Sequence, residues 1–245
     1  MSDELKQHIA SAFDRDLEGI QAQILKMGGL VEVAIHDAAK SLETRDEELA
    51  GQVVTGDEAI DAMDEALNEE AARVIALRAP TATDLRVVLS VMRMSANLER
   101  IGDLSKNLAK RTTVLAQMTQ INGSTTALRR MARDVELMLK DALDAYIKRD
   151  EALALDVLDR DRDVDQMYNT LFREFLTFML EDPRNITSCM HLHFIAKNIE
   201  RMGDHVTSIA EQVVFLATGS TPDEARVKED RTSSDPSLST DIELE

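Results

Sequence analysis

The chain has 245 residues, of which 44% are hydrophobic, 30% charged and 3% aromatic, with no Trp, nine Gly and four Pro. That is the composition of long helices with a Leu, Ile, Val, Met and Ala core, and it has too few turn residues for a sandwich or barrel. Its 46 Asp and Glu against 28 Lys and Arg give a formal net charge of -18, which argues against nucleic acid and anionic membranes as direct partners and favours cations or basic protein surfaces.

Met1-Ser2-Asp3-Glu4 lacks the basic and then apolar profile of a signal peptide. No apolar run approaches the roughly 20 residues that span a bilayer. The single cysteine, Cys189, excludes an intramolecular disulfide. The expectation is a soluble, cytoplasmic, all-α protein without membrane insertion.

Residues 5–43 carry apolar positions at helical spacing, among them Ile9, Phe13, Leu17, Ile24, Val31 and Leu42. They predict one long helix. Gly28 and Gly29 at its middle each weaken it by about 1 kcal/mol relative to Ala and favour a kink there. Thr44-Arg45-Asp46 turns the chain and caps a second helix through Val53, Ile60, Met63, Leu67, Val74 and Leu77, which Pro80 stops. Thr81 or Thr83 caps a third, running through Val88, Val91, Met94, Leu98, Ile101 and Leu108. Three long helices with short turns make an antiparallel bundle over residues 1–120.

Residues 121–126, Ile-Asn-Gly-Ser-Thr-Thr, are small, polar and glycine-containing, and predict a linker. A second bundle follows over 127–217 and replays the first. Leu128, Met131, Val135, Met138 and Tyr146 mark its first helix. Arg149-Asp150-Glu151 answers Arg45-Asp46-Glu47 at an offset of 104 residues, as Val164-Asp165-Gln166-Met167 answers Ile60-Asp61-Ala62-Met63. Pro183 answers Pro80. The fold is therefore a tandem duplication of a three-helix bundle, six long helices in all. Residues 218–245 lose apolar periodicity and read as an acidic, disordered tail.

The strongest repeat is Glu99-Arg100-Ile101-Gly102-Asp103, which returns as Glu200-Arg201-Met202-Gly203-Asp204 at an offset of 101. Each copy stacks two carboxylates one helical turn apart, and such anions repel by roughly 0.2–0.5 kcal/mol on an exposed helix. A cation, or a partner's basic groups, would relieve that repulsion. The helices just upstream carry Asp57 with Asp61 and Asp161 with Asp165 at the same spacing. Asp61 lies 19 residues before Pro80 and Glu99 lies 19 after, so antiparallel neighbours bring the pairs to similar height. Each bundle then gathers four carboxylates, on the shoulder of the apolar stripe and open to water.

Oxygen-only sites suit Mg, Mn, Ca or iron better than Zn or Cu. Arg100 and Arg201 either neutralise the clusters or face solvent. Gly102 and Gly203 point to close helix approach. His191 and His193 read as surface or boundary residues, His205 as a weak ligand candidate, and Cys189 as a small buried residue.

These residues, together with Pro80-Thr-Ala-Thr-Asp-Leu-Arg86 opening the third helix, closely resemble the bacterial PhoU family over residues 5–217. The resemblance implies a PhoU-like pair of three-helix bundles, a homodimer, and multinuclear clusters of iron, zinc, nickel, or manganese and magnesium at the acidic motifs. Its matching ligands are Asp57, Asp61, Glu99, Asp103, Asp161, Asp165, Glu200 and Asp204. It further implies a non-enzymatic repressor of phosphate-starvation signalling, with the sensor histidine kinase PhoR and the phosphate transporter's ATP-binding subunit PstB as partners. The alternatives are a carboxylate-bridged metalloenzyme or metal-storage protein, and a metal-free helical scaffold. Against the first, no His follows Glu99 or Glu200 at the Glu-x-x-His spacing of ferritin-like sites.

Overall fold

The repeated turn chemistry shows how the chain builds its helices. In this computed structural model, which describes residues 3–80, 82–121 and 123–221 and side chains from residue 15 onward apart from Ala82, helix α1 (Asp3–Thr44) ends on Arg45 at φ 56°. The amide of Asp46 then donates to Ser41 O at 3.0 Å, and its carboxylate accepts from Leu49 N at 2.9 Å to start α2 (Glu47–Arg78). The second half repeats this between α4 (Ser124–Lys148) and α5 (Glu151–Glu181). There Arg149 takes φ 51°, Asp150 N donates to Ala145 O at 2.9 Å, and the Asp150 carboxylate accepts from Leu153 N at 3.1 Å. The backbone contact is the six-to-one bond of a Schellman ending, and each cap contributes about 1 kcal/mol.

Between α2 and α3 (Ala82–Ala116) the chain turns on Ala79, left-handed at φ 46°, and Pro80. The matching turn before α6 (Ile186–Thr218) is built differently, with Asp182 capping a short 3-10 helix, Pro183–Asn185. Thr81, one proposed cap of α3, lies outside the described residues, and Thr83 sits inside the helix rather than before it. Gly219 at φ 85° closes α6. The tail from 222 onward also lies outside the described residues, as does Asn122 of the predicted linker, whose later part already belongs to α4.

Helices α1–α3 form one three-helix bundle and α4–α6 another. The two pack side by side through α3 against α6 and α1 against α4. The central four helices make a square, with α2 in the outer groove of α1 and α3, and α5 in that of α4 and α6. Contacts at Arg86 with Phe215 and Arg111 with Phe194 show α3 and α6 antiparallel. His36 with Glu136 and Glu43 with Arg129 show the same of α1 and α4. A pseudo-two-fold axis therefore runs through the square.

Apolar residues from all six helices, including Ile24, Leu67, Leu98, Val135, Phe175 and Ile199, join in one core. Each fully buried side chain of this size contributes about 1.5–3 kcal/mol. The described residues contain no strand. No described helix is long and apolar enough to cross a membrane.

Helix α1 continues through Gly28 and Gly29 without a break. A Cβ on Gly28 would overlap Leu143 Cδ1 of α4, whereas one on Gly29 would meet nothing. Gly28 thus serves the close approach of the bundles. Gly28→Ala should lower stability by about 1–2 kcal/mol in urea melts, despite alanine's better helix propensity, and cost nothing when added to Leu143→Ala.

Candidate functional site

Helix α2 turns Asp57, Asp61 and Asp64 toward α3, and α3 answers with Glu99 and Asp103. Gly102 sets the spacing, since a Cβ there would lie 3.2 Å from Asp57 Oδ1 and 3.1 Å from Ile60 Cδ1. Without that Cβ, Asp57 tucks against the α3 backbone and is 3% exposed. Its Oδ2 accepts a short hydrogen bond from Lys106 Nζ, which also donates to Asp103 Oδ1 at 3.0 Å. Asp57 Oδ1 has no hydrogen-bond partner among the described residues.

Two turns along, Asp64 Oδ1 accepts from Ser95 Oγ at 2.5 Å and from Asn68 Nδ2 at 3.0 Å. Burial first, and then the charge of Asp57, raise the Asp61 carboxyl above its ordinary value, with Asp103 and Asp64 adding and Lys106 opposing. Burial likewise raises Glu99, helped by Asp103, Asp61 and Asp64 and opposed by Arg100. The hydrogen bonds that Lys106 donates to Asp57 and Asp103 hold its ammonium firmly protonated. Arg100 is mostly exposed yet reaches Glu99 at 3.4 Å and Asp103 at 3.6 Å, so it screens the cluster from its rim. Five carboxylates thus face one bridging ammonium and one solvated guanidinium.

The second cluster, between α5 and α6, has the same frame and different furniture. A Cβ on Gly203 would lie 3.0 Å from Asp161 Oδ1, and Asp161, Asp165 and Glu200 are each 3% exposed. Asp204 is half-buried. Lys197 donates to Glu200 Oε1 at 2.9 Å and lies 4.9 Å from the centre of the Tyr168 ring. All four carboxylates are engaged with neighbouring groups. Tyr168 stacks on His193 with ring centres 5.9 Å apart, and Phe172 and Phe194 flank that imidazole at 5.3 and 5.8 Å.

The two clusters share one face of the molecule, to either side of the α3–α6 pair. Asn97, two residues before Glu99, meets His205, one residue after Asp204, at 2.9 Å across that seam.

The family model described as PhoU domain matches residues 24–112 and again 128–213. The chain belongs to the PhoU family. It is 47% identical over 212 residues to the phosphate-specific transport system accessory protein PhoU homolog of Zymomonas mobilis, covering 86% of this chain and 89% of that one. Against the protein of the same name from Rhizobium meliloti it is 43% identical over 226 residues, covering 92% and 95%. The crystal structure of PhoU from Pseudomonas aeruginosa superposes with a TM-score of 0.83 at 38% identity, covering 85% of this chain and all of that chain. The phosphate transport system regulatory protein PhoU from Streptococcus pneumoniae gives 0.80 at 29% identity, over 86% of this chain.

The eight carboxylates singled out from the PhoU-like pattern fall into two groups by placement. Asp61, Glu99, Asp103 and Asp204 lie on the surface or half-buried, as an open site requires. Asp57, Asp161, Asp165 and Glu200 are buried instead, because the two motif glycines let α2 and α5 settle onto α3 and α6. Among the described residues no three carboxylate, imidazole or thiolate groups already converge as a cation cage. The donor set is nevertheless all-oxygen, the Asp57 Oδ1 atom lacks a hydrogen-bond partner among the described residues, and neighbouring carboxylates raise the affinity of Asp61 and Glu99 for positive charge. These residues fit a hard cation.

Sequence reasoning missed Asp64, Lys106 and Lys197. Asp64 follows Asp57 by seven residues on the same helical face, but its counterpart in the second half is Tyr168, so it has no place in the repeated pattern. Lys106 and Lys197 sit three residues outside their motifs, a spacing equally common among solvated lysines. His193 is half-buried, at the boundary its sequence position predicts, and there it stands in an aromatic cluster that the sequence does not announce.

Proposed function

We propose that this protein is a cytoplasmic, homodimeric negative regulator of phosphate uptake and of the phosphate-starvation response. It works as an adaptor between the phosphate ABC transporter and its sensor histidine kinase, PstB and PhoR being the partners the family resemblance suggests. It acts by docking and carries out no chemistry of its own. The observation that supports this reading most is the pair of acidic clusters on one face of a PhoU-family chain. A face of that charge, when bare, suits basic partner surfaces.

Asp57, Asp61, Glu99 and Asp103 would hold ions in the first cluster and Asp161, Asp165, Glu200 and Asp204 in the second, with Mg, Mn or iron favoured over Zn or Ni by the oxygen donors. Bound cations would neutralise the repelling carboxylates and stiffen the α2–α3 and α5–α6 seams. The regulatory reading is tested by deleting the gene and assaying a phosphate-repressed reporter in high phosphate. The expected result is strong derepression, restored to repression by the wild-type chain and not by Glu99→Lys/Glu200→Lys. Repression that persists in the deletion strain would sink it.

A further inference from the structure

The two clusters differ in the residue that lies three places beyond the motif aspartate. In the first, the Lys106 ammonium lies between Asp57 on α2 and Asp103 on α3, bonded to one oxygen of each. Those are the oxygens through which a single cation would grip both helices. The equivalent position in the second half, at an offset of 101, is Thr207, whose hydroxyl turns back to the carbonyl of Asp204 at 2.8 Å. Lys197 meets Glu200 of its own helix and the Tyr168 ring. A bridging ammonium reaching from the 106-equivalent position is therefore a feature of the first cluster.

We propose that the Lys106 ammonium is a tethered occupant of the first cluster which a divalent cation must displace, so that this one side chain sets the cluster's affinity for metal. The inference rests on the reading of the clusters as cation sites given above.

Two features of the structure, with the coordination habit of divalent ions, carry it beyond an acidic patch. Asp57 is 3% exposed and its Oδ1 is unpartnered, so the bound ammonium leaves the buried carboxylate half-satisfied. A divalent ion takes several oxygen ligands at once, which a single ammonium bridging two does not match. Lys106 itself is 22% exposed, so its flexible stem can carry the head out to water when an ion arrives. The occupant is thus removable. The cost of removing it weakens this cluster's hold on metal.

The test titrates Mn2+ into the full chain, reading bound ion by electron paramagnetic resonance. Wild type is compared with Lys106→Met and with Lys106→Met/Asp57→Asn. Lys106→Met should tighten the first cluster by about tenfold or more, and the added Asp57→Asn should abolish the gain. In wild type, Mn2+ should raise the rate at which an N-hydroxysuccinimide ester acylates Lys106 several-fold over other lysines, which mass spectrometry reads without needing any variant to fold. Unchanged Mn2+ affinity in a folded Lys106→Met, or unchanged Lys106 labelling while Mn2+ is bound, overturns the proposal and leaves the metal reading standing. No bound Mn2+ in any of the proteins overturns the metal reading, and this proposal with it.

Discussion

Phe175→Ala should destabilise the protein by about 3–5 kcal/mol. Phe175 heads the largest side chains that are fully buried and is 1% exposed on α5, so its truncation removes transfer energy and leaves a cavity whose rigid helical walls cannot close. The form of the unfolding curve is as informative as its shift. Because α3 packs on α6 and α1 on α4 in one continuous core, the variant should melt in a single transition by calorimetry, displaced to lower temperature. A low-temperature transition of about half the enthalpy, followed by a second at the wild-type position, would mean that the bundles unfold independently.

The second large effect is expected at the motif glycine of the second cluster. Gly203→Val adds a branched side chain where even a Cβ would stand 3.0 Å from the Asp161 carboxylate, 3.5 Å from Val164 Cγ1 and 3.8 Å from Val135 Cγ2. The neighbours are a buried acid and two core residues, none of them the free end of a long chain. Over-packing of this kind costs typically 1–3 kcal/mol, and here about 3 is expected because Asp161 has no open space to retreat into. The measurement is the urea midpoint, with the intact slope checking that the fold survives. Gly203→Ala should lose less, since alanine's helix propensity offsets about 1 kcal/mol of the clash. Equal stability of the valine variant and wild type would show that α5 and α6 can part at this point.

The helices were legible because their instructions are local. Asp46 and Asp150 cap through their own side chains three residues on, and the left-handed arginines before them precede each cap in the same three-letter phrase. The pairing of Asp57 and Asp61 with Asp103 and Glu99 was also within reach, since equal distances from a turn fix equal heights on antiparallel helices. What stayed hidden depends on partners distant along the chain. Gly28 reads as a weak point in α1 until Leu143 arrives from α4. His205 points away from its neighbour Asp204, as the helical rotation requires, yet it finds Asn97 on the other bundle. The depth of Asp161 and Glu200 follows from how far α5 sinks onto a helix bared by one missing Cβ, which no periodicity reports.

The pseudo-two-fold axis through the central square has a consequence for recognition. A face built from two identical halves would look the same after a half-turn, and any asymmetric partner would find two docking poses of equal energy, pointing in opposite directions. Here the degeneracy is lifted locally: Asp64 and the Lys106 bridge mark one end of the face, while Phe172 and the exposed Phe194 mark the other. Duplication supplied the breadth of the surface, and divergence at a few positions around an unchanged frame gave it a heading.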